Sequence, residues 1–316
     1  MQSLLERYGV LAAILVVYLG FSATLIPIAT DDIRLADVFS VDESGAAAEI
    51  RHYYSTGRVD RASFKYGSLF YYIPLAVISV YGVVGSVTDQ VILIVLRSFG
   101  AMAGTGCIVL TYEMARRLYD EKAGAVASLI VATAPAFLRW SVESHPDLPQ
   151  LLCVCAFMWV LIRLSERTDL RSASLAAFYA GLAFNTKYVG IFLMPTLAFA
   201  LLFLGRGDRL DLRISRLVEG DRWKVLFAAI LVFGVTIGLS NPYAIIKFDA
   251  FINSLQAERK IMSFGHSSRV VGGVAAWVRQ LVGVVGWVHV VVFVSTAVWC
   301  GMRRRLPRPV IVAFTV

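Results

Sequence analysis

Long apolar runs separated by short polar segments repeat along the whole chain. They lie at about 8–29, 67–84, 89–115, 123–141, 148–164, 173–204, 224–240, 274–302 and 309–316. A helix needs about 20 apolar residues to cross a hydrocarbon core of about 30 Å. No water is present there to satisfy an open backbone, so helices are the expected element. The pattern predicts an all-α, polytopic transmembrane helical bundle, a single domain over 1–316, with juxtamembrane helices on its outer face. The run from Tyr8 to Ile28 is too long for the apolar part of a cleaved leader, and no clear small-x-small site follows it. It reads as an anchor helix. The last run stops at Val316 without a polar flank, which predicts that the span continues beyond that residue.

Short loops rich in Arg and Lys mark the cytoplasmic side. The best candidates are Arg116/Arg117/Lys122, Arg163/Arg167/Arg171, the stretch Arg206 to Lys224, and Arg303/Arg304/Arg305/Arg308. With all four on one side, parity puts a first loop over 30–66, the turn Glu143 to Asp147 and a later loop over 241–273 outside. The run 173–204 then starts and ends inside. At 32 residues it would measure about 48 Å as one helix, so it is expected to split into two short helices meeting near Asn185-Thr186-Lys187. That brings Lys187 to the outer surface and avoids a lysine in mid-membrane. The run 67–84 has two readings. Either it lies along or dips into the outer interface, which suits Tyr66, Tyr71, Tyr72 and Tyr81, or it spans fully and inverts everything downstream.

Composition agrees with this picture. The chain is 58% hydrophobic over 316 residues, with a mean hydropathy of +0.70, above the 45–50% apolar content typical of soluble domains. Its +8 charge comes from 30 Lys+Arg against 22 Asp+Glu. The basic residues sit in short segments between apolar runs and form no basic face with interleaved aromatics. That argues against a nucleic-acid partner and for topology determinants and lipid head-group contacts. Cys107, Cys153, Cys155 and Cys300 lie inside apolar runs with no histidine at metal-ligand spacing, and read as small buried apolar residues.

Candidate chemistry gathers on the outer side. The first loop carries Asp42-Glu43 and ends in Phe64-Lys65-Tyr66-Gly67; the second reads Glu143-Ser144-His145-Pro146-Asp147; Lys187 sits at the suspected helix break. Ionisable groups at the membrane boundary are functional candidates by default. Two lysines and several acids from separate segments would meet in one cavity. The lysines would pair with an anionic head group such as a lipid phosphate, and a carboxylate would remain to take a proton from an acceptor hydroxyl. Each residue also has a structural reading. Lys65 suits an interfacial anchor, Lys187 and His145 suit turns, Asp147 suits a helix cap, Asn241-Pro242 suits a helix end, and His266 suits loop surface.

In order and spacing these pieces resemble the C-type glycosyltransferases that use polyprenyl-phosphate sugars, namely the dolichyl-phosphate-mannose protein mannosyltransferases and the aminoarabinose transferases related to them. The resemblance is carried by an anchor helix followed by Asp42-Glu43, the Phe64-Lys65 step, and His145-Pro146-Asp147 after Arg139-Trp140. It continues with Gly181-Leu182-Ala183-Phe184-Asn185-Thr186-Lys187-Tyr188 with Pro195 beyond, and Asn241-Pro242-Tyr243 opening a segment that ends in Gly265-His266. It covers about residues 1–270. It implies that Asp42 is the catalytic base with Glu43 beside it, that an inverting displacement releases polyprenyl phosphate, and that Lys65, with Tyr66 beside it, contacts the donor phosphate. His145 and Asp147 would line the same cavity, with Lys187 and Tyr188 near the donor and Tyr243, His266 and Arg269 as further outer-loop contacts. One departure is that Lys65 is followed by Tyr66-Gly67 and not by the double proline common in the aminoarabinose branch, which counts against that branch.

The leading expectation is therefore a membrane enzyme moving a mannose-like hexose or pentose from a polyprenyl-phosphate donor. The acceptor, whether protein, lipid or glycan, stays open. So does a divalent metal, for which no dedicated cluster is evident. Short loops favour a prokaryotic plasma membrane with an extracytoplasmic site. The alternatives are a transporter or flippase for a lipid-linked or anionic substrate, since split helices and intramembrane charges are also transporter signs, and a non-catalytic scaffold subunit.

Overall fold

The computed structural model describes residues 2–40, 42–59, 64–166, 169–203, 222–265 and Val291. The expected runs at 274–302 and 309–316, and most of the basic stretch Arg206 to Lys224, lie outside the described residues. Among the described residues every regular element is a helix, as the hydropathy pattern predicts.

The anchor α1 (Gln2–Leu25) ends where Ile26-Pro27 closes it in a turn. Two short helices follow, α2 (Ile33–Phe39) and α3 (Glu43–Thr56), and then α4 (Leu69–Tyr81). At 13 residues α4 measures about 20 Å, too short to cross the hydrocarbon. The residue after it, Gly82, lies against the Tyr54 ring of α3. The next helix, α5 (Asp89–Leu118), begins beside α3 through the Arg51–Asp89 ion pair. So α2, α3 and α4 stay at one end of the bundle, in line with the interfacial reading of 67–84. At 30 residues α5 is about 45 Å long. Its first turns outreach a bilayer core, and α3 and α4 cover them through Ile50, Tyr53, Phe70, Tyr71, Ile92 and Leu96.

The run 123–141 carries a bend that its unbroken apolar pattern does not announce. It is not one straight span but α6 (Glu121–Thr133) and α7 (Pro135–Ser141), bent by 65°. Ala134 is extended because the ring of Pro135 excludes helical geometry from the residue before it. Next come α8 (Asp147–Glu166) and α9 (Leu170–Thr186). The Asp169 carboxylate caps α9 by accepting from the Ser172 N–H at 2.9 Å. At Lys187 the chain turns extended, then forms a 3₁₀ turn (Tyr188–Phe192) and α10 (Leu193–Phe203), so the split of 173–204 falls where expected. Finally α11 (Arg222–Ser240) leads through α12 (Pro242–Ile246) to the amphipathic α13 (Phe248–Gly265).

Among the described residues four helical stretches, Tyr8–Leu25, Asp89–Leu118, Asp147–Leu164 and Arg222–Ser240, are long and apolar enough to cross a membrane; the bent α6–α7 pair makes five if it is one span. They pack closely because one face of α9 is alanine. Ala173, Ala176, Ala177, Ala180 and Ala183 are fully buried, and small side chains at this spacing let α8 and α11 approach. Following the chain, the start of α3, the 143–147 turn, the end of α9 and Asn241 fall at one end. Arg116, Arg117, Lys122 and Arg163 fall at the other.

Candidate active site

Four separate segments converge at the first of these ends. Asp42 immediately precedes α3, yet its side chain makes no capping bond to that helix. The carboxylate faces outward instead. Its Oδ1 accepts from Lys65 Nζ and its Oδ2 from the Tyr66 hydroxyl. The His145 Nε2 lies 3.6 Å from the same Oδ2 and 3.5 Å from the Tyr66 oxygen. On its other side, His145 Nδ1 contacts Asp147 Oδ2. Lys187 Nζ donates to Asp147 Oδ1 at 2.7 Å. The result is an unbroken polar chain from Lys65 through Asp42, His145 and Asp147 to Lys187, and its side chains are 19–42% exposed.

The backbone under this chain is held in three places. Gly67 N–H donates to Thr186 O at 3.1 Å, Tyr188 Oη donates to Tyr66 O at 3.0 Å, and Gln150 Nε2 donates to Lys187 O at 3.3 Å. Gly67 is where the 64–68 segment meets the end of α9. A Cβ there would stand 1.9 Å from the Asn185 carbonyl oxygen and 2.7 Å from Thr186 N, both backbone atoms. The Tyr66-Gly67 departure from a double proline thus has a local reason: the second position must lack a side chain. Gly67→Ala is expected to destabilise by about 1–3 kcal/mol, read as a lower thermal midpoint in detergent. Gly234→Ala, where nothing lies within 4 Å of the added carbon, leaves the midpoint unchanged or raises it.

Charge states follow from these neighbours. His145 first, then Lys65 and Tyr66, hold Asp42 well below the usual carboxylate range in spite of its burial. Burial works against a charged imidazole, but Asp147 and Asp42 outweigh it and hold His145 up at about 9. Burial, and after it Asp42, Asp147 and Glu258, push the Tyr66 phenol well above its ordinary value.

Asp42, Lys65, Tyr66, His145, Asp147 and Lys187 are therefore brought together, with Tyr188 as a backbone support. Glu43 does not join Asp42 in the polar chain, and this corrects the sequence expectation of a catalytic pair. Its side chain is fully buried; Arg97 grips it through Nε at 3.1 Å and Nη2 at 2.6 Å, and Ser144 N–H donates to it as well. A carboxylate closed to solvent with both oxygens engaged cannot take a proton from an incoming hydroxyl. Tyr243 packs with Phe64, Tyr188 and Phe251 in an aromatic wall and does not enter the polar chain. His266 and Arg269 lie outside the described residues.

The sequence reading missed Arg97. It sits in the apolar helix α5, 1% exposed, and besides Glu43 it binds Ile26 O at 2.9 Å and Ile28 O at 2.6 Å through Nη1. The available signal was a lone arginine in a long apolar run, which requires a partner. Glu258 on α13 was missed as well; its charge bears on Tyr66. Among the described residues no three His, Cys, Asp or Glu side chains are grouped to hold a metal ion.

Residues 82–215 match the family model described as dolichyl-phosphate-mannose-protein mannosyltransferase. The match supports the C-type glycosyltransferase superfamily. It covers less than half of the chain, from the residue after α4 to beyond α10. Within it fall His145, Asp147, Lys187 and Arg97, while Asp42 and Lys65 precede it. No curated protein and no solved structure matches the chain. Together with the apolar helices, the family match supports a membrane glycosyltransferase.

Proposed function

We propose that this glycosyltransferase moves a sugar from a polyprenyl-phosphate donor to an acceptor hydroxyl, with inversion, and that Asp42 is the base. The observation that carries the reading is the pair of Asp–Lys contacts, Asp42–Lys65 and Asp147–Lys187, set on either side of His145 at one end of the bundle. A donor phosphate entering between the lysines would take over their charge. Asp42 would then lose one of the partners that make it a weak base, just when the acceptor needs one. Phosphate is a good leaving group, so the lysines need only stabilise the charge that develops on it. Arg116, Arg117, Lys122 and Arg163 at the opposite end favour a cytoplasmic position there, and hence an extracytoplasmic site. A transporter would place its polar cluster near the middle of the bundle; this one stands at the end.

The test is release of polyprenyl phosphate from a radiolabelled polyprenyl-phosphate hexose by the purified protein. The wild type is expected to release it together with glycosylated acceptor. Lys65→Ala and Lys187→Ala are each expected to raise the donor KM about tenfold or more, the scale of one lost charge-assisted contact. No release across several sugars and acceptors would favour a transporter or a scaffold.

A further inference from the structure

Asp42 and Asp147 divide their oxygens in the same way. Each gives Oδ1 to a lysine and turns Oδ2 toward the one imidazole between them. His145 therefore stands midway between Lys65 and Lys187, and a phosphate shared by those lysines must abut its ring. Resting on the reaction proposed above, we propose that His145 passes the acceptor's proton on to the departing phosphate.

The steps balance. The acceptor O–H bond breaks, its proton goes to Asp42, and its oxygen bonds to the anomeric carbon. The bond from that carbon to the phosphate oxygen breaks, and the electron pair stays with the phosphate. His145 gives its Nε2 proton to the phosphate. Asp42 then returns the acceptor's proton to Nε2, 3.6 Å away. Nothing is oxidised or reduced, and the site is restored.

The timing has a physical cause. His145 is held at about 9 because burial is outweighed by two carboxylates. When Asp42 takes a proton it becomes neutral, and the imidazolium loses one of those anions. It becomes a stronger acid as the phosphate becomes a stronger base. The groups facing this pair are Lys65 and Tyr66 from the 64–68 segment, Asp147 on α8, Lys187 at the end of α9, and Glu143 in its own turn. Glu43 binds the adjacent Ser144 N–H, with Arg97 and Arg139 behind the acids, and the charge of Glu258 on α13 bears on Tyr66. Of these, the His145 imidazole is the one held in the alkaline range between both carboxylates.

The experiment is the pH dependence of kcat/KM between about pH 5 and 10 for the wild type, His145→Gln and Asp147→Asn with a polyprenyl-phosphate hexose. The wild type is expected to lose activity as pH rises through about 9. His145→Gln should lower kcat at neutral pH about 10²- to 10³-fold. It should also abolish the fall near 9 and move the acid limb upward, since Asp42 loses its main partner. Asp147→Asn removes the anionic partner of Nδ1, and of Lys187 with it, and should pull the alkaline limb below 9. A profile of unchanged shape in both variants, whatever the loss in rate, overturns the proposal and leaves His145 a structural residue. Wild-type protein that transfers no sugar at any pH overturns the reaction itself, a separate result from a transferring enzyme with an unaltered profile.

Discussion

Asp42→Asn is expected to lower kcat for sugar transfer by about 10²- to 10⁴-fold, the range a positioned base contributes, without raising the donor KM. The amide keeps the size of the carboxylate and can still meet Tyr66, so the segment stays folded. It cannot accept the acceptor's proton. The variant also removes the carboxylate that Lys65 donates to, so no anion at position 42 competes with the donor phosphate for that lysine. A fall in kcat with an equal or lower KM marks the loss of an interaction made in the transition state. A fall in donor affinity instead would make Asp42 a binding residue. Equal turnover by both proteins would remove it as the base. The structure then directs attention to Asp147, 22% exposed and already in contact with His145, and away from the closed Glu43.

The convergence of Asp42, Lys65, His145, Asp147 and Lys187 was legible in the sequence because charges are expensive where apolar runs begin and end. Such residues concentrate at the same boundary of a bundle, and parity of the crossings puts their segments at one end. The helix break at Lys187 was legible by length, because 32 residues overshoot a bilayer. The role of Glu43 was not. It follows Asp42 directly, but at the start of a helix successive side chains diverge by about 100°. One carboxylate thus faces the cavity and the other faces α5. Adjacency in sequence suggested a catalytic pair where the fold gives the two carboxylates different tasks, one in the polar chain and one in a buried ion pair. The bend at Pro135 had a visible signal in the Ala134-Pro135 step, masked by the unbroken apolar character of 123–141. Arg97 was masked in the same way, since one charge does little to the hydropathy of a 30-residue helix.

Arg97 carries the second large prediction. Its guanidinium joins three parts of the chain: the end of α1 through Ile26 O and Ile28 O, the first residue of α3 through Glu43, and, through Glu43, the Ser144 N–H. Asp42 and His145 are the immediate neighbours of Glu43 and Ser144, so this brace helps set the distance between the Asp42 carboxylate and the imidazole. Arg97→Ala leaves Glu43 charged and buried with no cation, a change that costs about 3–5 kcal/mol. That is a large share of the 5–15 kcal/mol typical of a folded domain. A fall of that size in unfolding free energy in detergent is expected, and transfer should be lost with it. Arg97→Lys keeps the charge but not the planar fork that reaches both Glu43 oxygens and the two carbonyls together, so it should rescue only part. The decisive variant replaces both partners, Arg97→Met with Glu43→Leu. Apolar replacement of a buried ion pair is often neutral or better for stability, so the unfolding midpoint should return close to wild type. Transfer should remain at least tenfold down, because the Ser144 N–H has lost its acceptor and the brace that aligns the Asp42 and His145 segments is gone. Full recovery of both would make the brace a packing element alone.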